Sequence, residues 1–125
     1  MQSRTLCGAG ALLLTIGVAA GAFGAHALKS IHVDLLAVWH TAVLYQLIHG
    51  LGLIALAAAQ PFLQPRTAAL AGPILLAGSV LFSFSLYALV MFQIPFLAYL
   101  TPIGGLLMVA GWALVVVAAW TRPRS

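Results

Sequence analysis

Charge is what this sequence has least of. Only 5% of its 125 residues are Asp, Glu, Lys or Arg, against roughly 25% in soluble domains. So few charges cannot cover the water-facing surface of a folded chain this size, and the natural cover for the rest is a lipid bilayer. Acid is nearly absent: Asp34 is the single carboxylate residue. That argues against a small proton antiporter, which needs a carboxylate within its spans. A lone cysteine, Cys7, excludes an intrachain disulfide and dithiol redox chemistry. It lies in an apolar run and is expected to pack as a small buried hydrophobe. No GxSxG, HExxH or phosphate-binding loop occurs, so no catalytic residue is assigned and neither enzyme activity nor a cofactor is expected. The net charge of +4 would suggest nucleic acid in a soluble protein. Here Arg4, Lys29, Arg66, Arg122 and Arg124 mostly stand singly between apolar runs, which is how topology charges sit, and nucleic acid is excluded as a partner.

What fills the chain instead is 64% hydrophobic side chains. Three stretches carry no charge: Thr5 to Leu28, Leu35 to Pro65, and Thr67 to Thr121. About 20 residues cross the hydrocarbon, so the first two stretches hold one span each. The third holds two, broken where Gln93, Pro95, Thr101 and Pro102 cluster. The expectation is an all-α polytopic membrane protein, a four-transmembrane-helix bundle with short loops forming a single domain over residues 1–125. Its spans fall at about 6–25, 36–59, 68–92 and 102–120. Gln60-Pro61 and Gln64-Pro65 are expected to turn the chain from span two into span three, and Pro73 either kinks span three or marks its start. Arg4, the following apolar run and Ala25-His26-Ala27 resemble a cleavable leader. The run exceeds the usual length for one, so an uncleaved first span is expected. The basic residues bias both termini and the middle turn to the cytoplasm and the Lys29–Asp34 loop outward. Trp39 and Tyr99 then belong to the outer aromatic belt, Trp120 to the inner one, and Trp112 lies deeper.

In lipid, small residues let helix backbones approach each other. Gly10, Gly17 and Gly24 repeat at heptad spacing, Gly17 and Gly21 form a GxxxG pair, and Gly104 and Gly111 repeat the heptad in span four. Internal packing is the expected use; a homo-oligomer or partner seam through Gly17/Gly21 or Gly104/Gly111 is the alternative. Polar residues are also spaced for one face: Thr41, Tyr45 and His49 in span two, with Gln46 beside them, and Ser79, Ser83 and Tyr87 in span three, with Ser85 beside them. At matching depth these stripes predict that spans two and three face each other, with His49 bonded to Ser79 or Ser83. Tyr45, Gln46, His49, Ser83 and Tyr87 are the candidate site residues. Their structural reading is a hydrogen-bond network; their functional reading is a proton, quinone, haem or solute site centred on His49. No metal site is assigned. His26, His32 and His40 near the outer surface are weak candidates, because no HxH or HxxxH spacing joins them.

Four ordered motifs span most of the chain: Gly21-Ala22-Phe23-Gly24-Ala25-His26-Ala27-Leu28-Lys29; Trp39-His40-Thr41-Ala42-Val43-Leu44-Tyr45-Gln46 followed by His49; Phe82-Ser83-Phe84-Ser85-Leu86-Tyr87; and Thr101-Pro102-Ile103-Gly104-Gly105 followed by Gly111-Trp112. In these the sequence resembles the domain-of-unknown-function 423 family of small bacterial inner-membrane proteins, which has eukaryotic mitochondrial relatives. The resemblance implies four spans and a bacterial plasma-membrane location, and supplies no activity. It emphasises Gly24, His26, Lys29, Trp39, Thr41, Tyr45, Gln46, His49, Ser83, Ser85, Tyr87, Pro102, Gly104 and Gly105. Two positions depart from it: His40 stands where an acidic residue is usual and Phe84 where a glycine is usual, the latter implying looser approach along span three. The resulting expectation is a non-enzymatic accessory or interaction subunit of a larger membrane complex; the alternative is a small-molecule site in the bundle.

Overall fold

The computed structural model describes residues 1–123, so Arg124, one of the topology charges, lies outside the described residues. Four helices make up the fold: α1 (Ser3–Ala27), α2 (Val33–Ala59), α3 (Pro65–Phe92) and α4 (Leu100–Trp120). Each is long and apolar enough to cross a membrane, and the protein is a four-helix transmembrane bundle. The shortest, α4, with 21 residues, reaches about 31 Å at 1.5 Å per residue, matching the hydrocarbon thickness.

Local chemistry sets the ends. The His32 imidazole caps α2 by accepting the Asp34 N–H at 3.2 Å, and Asp34 suits the positive end of the helix dipole. Gln64 caps α3, its side-chain oxygen accepting from the Thr67 N–H at 2.8 Å, and Pro65 occupies the first turn, where its missing N–H costs no helix bond. Pro73 is therefore an internal residue of α3, well after the helix start. A 3-10 turn over Gln60–Phe62 joins α2 to α3. At the other end of α3, Gln93 adopts the left-handed conformation at φ 52° and closes the helix onto the Leu89 carbonyl. A second 3-10 turn, Pro95–Tyr99, leads into α4.

The principal helix contacts run in chain order, α1 on α2, α2 on α3 and α3 on α4. Two of these seams close at a glycine pair. A Cβ on Gly10 would lie 2.5 Å from the Gly50 carbonyl oxygen, and one on Gly78 would lie 2.9 Å from the Gly104 carbonyl oxygen, so these backbones touch directly. The heptad in α1 faces α2 throughout: Gly17 meets Leu47, and Gly24 receives the ring of Trp39. In α4, Gly111 receives Leu75 of α3. Gly17, Gly104 and Gly111 are thus occupied within the chain, and Gly21 faces Val43 at ordinary contact distance, so internal packing, the expected use of these glycines, accounts for them. A larger apolar core, including Leu6, Leu53, Leu56, Ala71, Leu75 and Ala118, fills the end near Arg4 and Arg66. A smaller one forms around Leu28, Trp39 and Val90 at the Lys29 end.

Two further expectations are corrected. Cys7 is exposed on the bundle surface rather than buried, because α1 turns its other face to α2. Trp39 is only 6% exposed and lies inside the bundle, not in a belt. The glycine at position 24 opens a slot for its indole, whose N–H donates to the Ala20 carbonyl at 2.8 Å. Tyr99 and Trp120 remain outward-facing.

Candidate functional site

The polar side chains that the sequence singles out divide into two linked constructions. The first is a relay across three helices. The Tyr87 hydroxyl in α3 donates to Gln46 Oε1 in α2 at 2.5 Å, and Gln46 Nε2 donates to the Leu13 carbonyl in α1 at 2.9 Å. Gln46 is fully buried. Bonding the carbonyl of a neighbouring helix ties α1, α2 and α3 at one depth, where an unpaired amide would cost several kcal/mol by the order of magnitude for hydrocarbon. Next to it, Ser83 of α3 donates to the Ala42 carbonyl of α2 at 2.8 Å. Ala42 and Gln46 therefore form the α2 row that meets α3. Of the row expected to do so, Thr41, Tyr45 and His49, Thr41 and Tyr45 are exposed: Thr41 bonds back to the Ala37 carbonyl of its own helix, and Tyr45 touches α3 only through its ring against Phe82.

The second construction holds His49. Its Nδ1 is 2.8 Å from the Tyr45 carbonyl, and its Nε2 is 3.0 Å from the Trp112 indole nitrogen. An indole N–H can only donate, so Nε2 must accept. The ring proton therefore sits on Nδ1 and donates to Tyr45. Both nitrogens of the neutral ring are engaged, leaving no lone pair for an iron and no acceptor for an added proton while the Trp112 bond persists. This corrects the expected partner. Ser79 bonds the Leu75 carbonyl within α3 and Ser83 bonds α2, while His49 reaches α4. Trp112 was legible only as a deep tryptophan. An indole at hydrocarbon depth needs an acceptor, and His49 at similar depth is the one that fits. Ser85 adds another α3–α4 link, its hydroxyl lying 2.6 Å from that of Thr101.

The remaining candidates stay apart. His26, His32 and His40 are exposed, and among the described residues no group of three His, Cys, Asp or Glu side chains is placed to hold a metal ion. His32 instead serves as a helix cap. Two grooves open on the bundle surface. One, of about 630 Å³, lies between α1 and α3 over Trp39 and Tyr87, with Phe84 on its wall. The other, of about 540 Å³, lies between α2 and α4 and is bounded by Tyr45, His49, Phe82, Gly105 and Trp112.

Apolar helices packed through glycine and tied by buried side-chain hydrogen bonds define a multi-pass integral membrane protein. The model of the family described as protein of unknown function (DUF423) matches residues 20–105, and the chain belongs to that family. It is 43% identical over 112 residues to a UPF0382 membrane protein of Staphylococcus haemolyticus, covering 89% of this chain and 91% of that one. It is 42% identical over 116 residues to the UPF0382 membrane protein YwdK of Bacillus subtilis, covering 88% and 91%. No solved structure matches.

Proposed function

We propose that the protein is a non-enzymatic accessory or interaction subunit of a larger membrane complex, in the bacterial inner membrane with both termini cytoplasmic. The observation that carries this reading is the engagement of both His49 nitrogens, by Trp112 and by the Tyr45 carbonyl. The residue best suited to chemistry joins α2 to α4 instead. Gln46, Ser83 and Tyr87 are likewise engaged in joining helices. What the bundle presents outward is an apolar surface, including Leu12, Leu44, Leu70 and Val116 on the four helices. The orientation rests on Arg4, Arg66 and Arg122 at one end against Lys29 at the other.

A photo-crosslinking residue placed singly at Leu12, Leu44, Leu70 and Val116 in living cells tests the reading. One recurring adduct with the same membrane protein, from one or two adjacent helices and not from the others, is expected. Adducts with lipid alone from all four positions would refute it.

A further inference from the structure

The α2–α4 groove carries two features that helix packing does not explain. The first is Gly105. Its neighbour Gly104 is needed where α4 crosses α3, but a Cβ on Gly105 would meet only Phe82 Cδ2, at 3.9 Å. A glycine inside a helix is unfavourable by about 1 kcal/mol relative to alanine, and here it serves no helix contact. It leaves the α4 backbone open along one wall of the groove. The second is Tyr45. Among the described residues its hydroxyl meets no hydrogen-bond partner, unlike that of Tyr87. Tyr45 sits about 18 Å along α2 from Val33, beyond the headgroup layer, where water does not satisfy a phenol. Its ring packs on Phe82 at 4.7 Å between centroids and stacks parallel to His49 at 6.2 Å.

We propose that this groove binds a lipid-soluble ring compound bearing a carbonyl oxygen, of the quinone class, with the Tyr45 hydroxyl donating to that oxygen and the ring lying against Gly105 and Phe82. The site stands independently of the partner reading above. The groove, of about 540 Å³, falls within the range of about 300–1,000 Å³ spanned by small-molecule sites. Aromatic walls favour a flat guest over a flexible chain. A phospholipid tail fits the apolar walls but brings no oxygen to this depth, because its ester groups stay at the headgroup boundary; it would leave the phenol unpaired. His49 borders the groove but has no free nitrogen, so Tyr45 is the residue that can recognise a polar atom there.

Tritiated menadione, titrated into the full-length protein in nanodiscs with empty nanodiscs subtracted, is the test. Saturable binding is expected. Tyr45→Phe removes one oxygen from an exposed side chain, so it should leave the melting temperature unchanged while weakening binding about three- to tenfold, the fold-change of one hydrogen bond. Gly105→Leu should abolish binding with helicity retained, and methylnaphthalene, which has the rings without the carbonyls, should compete poorly. Non-saturable uptake, unchanged affinity in Tyr45→Phe, or equal competition by methylnaphthalene would each overturn the proposal. Should Gly105→Leu fail to fold, Tyr45→Phe and the methylnaphthalene competition still decide it.

Discussion

Gly104→Ala and Gly105→Ala differ by one position in the same helix and are expected to change stability in opposite directions. A Cβ at Gly104 would lie 2.5 Å from the Phe82 nitrogen and 2.9 Å from both the Gly78 carbonyl oxygen and Phe82 Cα. These are backbone atoms of α3, so no rotamer change relieves the overlap. Restoring ordinary contact at about 3.5 Å requires α3 and α4 to part by about 1 Å. A gap of that size removes about a quarter to a half of each dispersion contact across it, along the whole seam. Overpacking in cores costs about 1–3 kcal/mol, and with backbone on both sides the loss here belongs at the upper end, about 3 kcal/mol. At Gly105 the added methyl reaches only Phe82 Cδ2 at ordinary contact distance. Alanine there removes the helical disadvantage of glycine, a gain of up to about 1 kcal/mol. Unfolding free energy by steric trapping in bicelles reads both variants on one scale. Equal losses at the two positions, or a Gly104→Ala protein within about 1 kcal/mol of the parent, would refute the backbone-contact argument.

Three other outcomes are expected. His49→Gln should fold at a loss of about 1 kcal/mol or less, and His49→Leu combined with Trp112→Phe should cost less than the two changes summed, by about 0.6–1.7 kcal/mol, since either one removes the same bond; strict additivity in a double-mutant cycle would show that the pair is not coupled. Gln93→Gly should raise stability by about 0.5–1 kcal/mol, because φ is 52° there and glycine has no Cβ to clash in the left-handed region; a loss in thermal unfolding would mean that the Gln93 side chain makes a contact of greater value. A periplasm-active reporter fused after Lys29 should be active and one fused after Arg66 inactive, following the bias of basic residues to one end; the reverse pattern would invert the orientation.

Much of the architecture follows from the order of residue types alone. Lys29, Asp34, Arg66 and Arg122 bound the apolar stretches, and a charge cannot lie cheaply in hydrocarbon, so the helix count is written in the gaps between them. The heptad of Gly10, Gly17 and Gly24 marks the contact face of α1 for a similar reason: close approach in lipid requires small side chains at helical spacing. Prolines show the same logic less fully. Pro65 begins α3 and Pro73 lies within it, yet both are simply proline to a reader of the sequence, because only the neighbouring backbone determines whether a missing N–H is a helix start or an interior gap.

The candidate site was legible as a set of residues but not as a set of pairs. Periodicity places Thr41, Tyr45 and His49 on one face, yet it fixes neither how α2 is rotated about its axis nor which neighbour that face meets. In the folded chain Gln46 turns to α1 and α3, Tyr45 turns outward, and His49 meets an indole 63 residues away. Trp39 left the expected belt because Gly24 opens a slot beside it, a coincidence of two helices that neither sequence segment contains. Gly104 and Gly105 are the sharpest case: adjacent, identical and equivalent in sequence, they differ because a helix turns about 100° per residue. One points into the backbone of α3 and the other into an open groove. The sequence by itself determined that four apolar helices cross the bilayer and that glycine holds them close. Only the tertiary structure decided which glycine is a contact and which partner holds each histidine nitrogen, because both depend on distances between helices that local spacing does not encode.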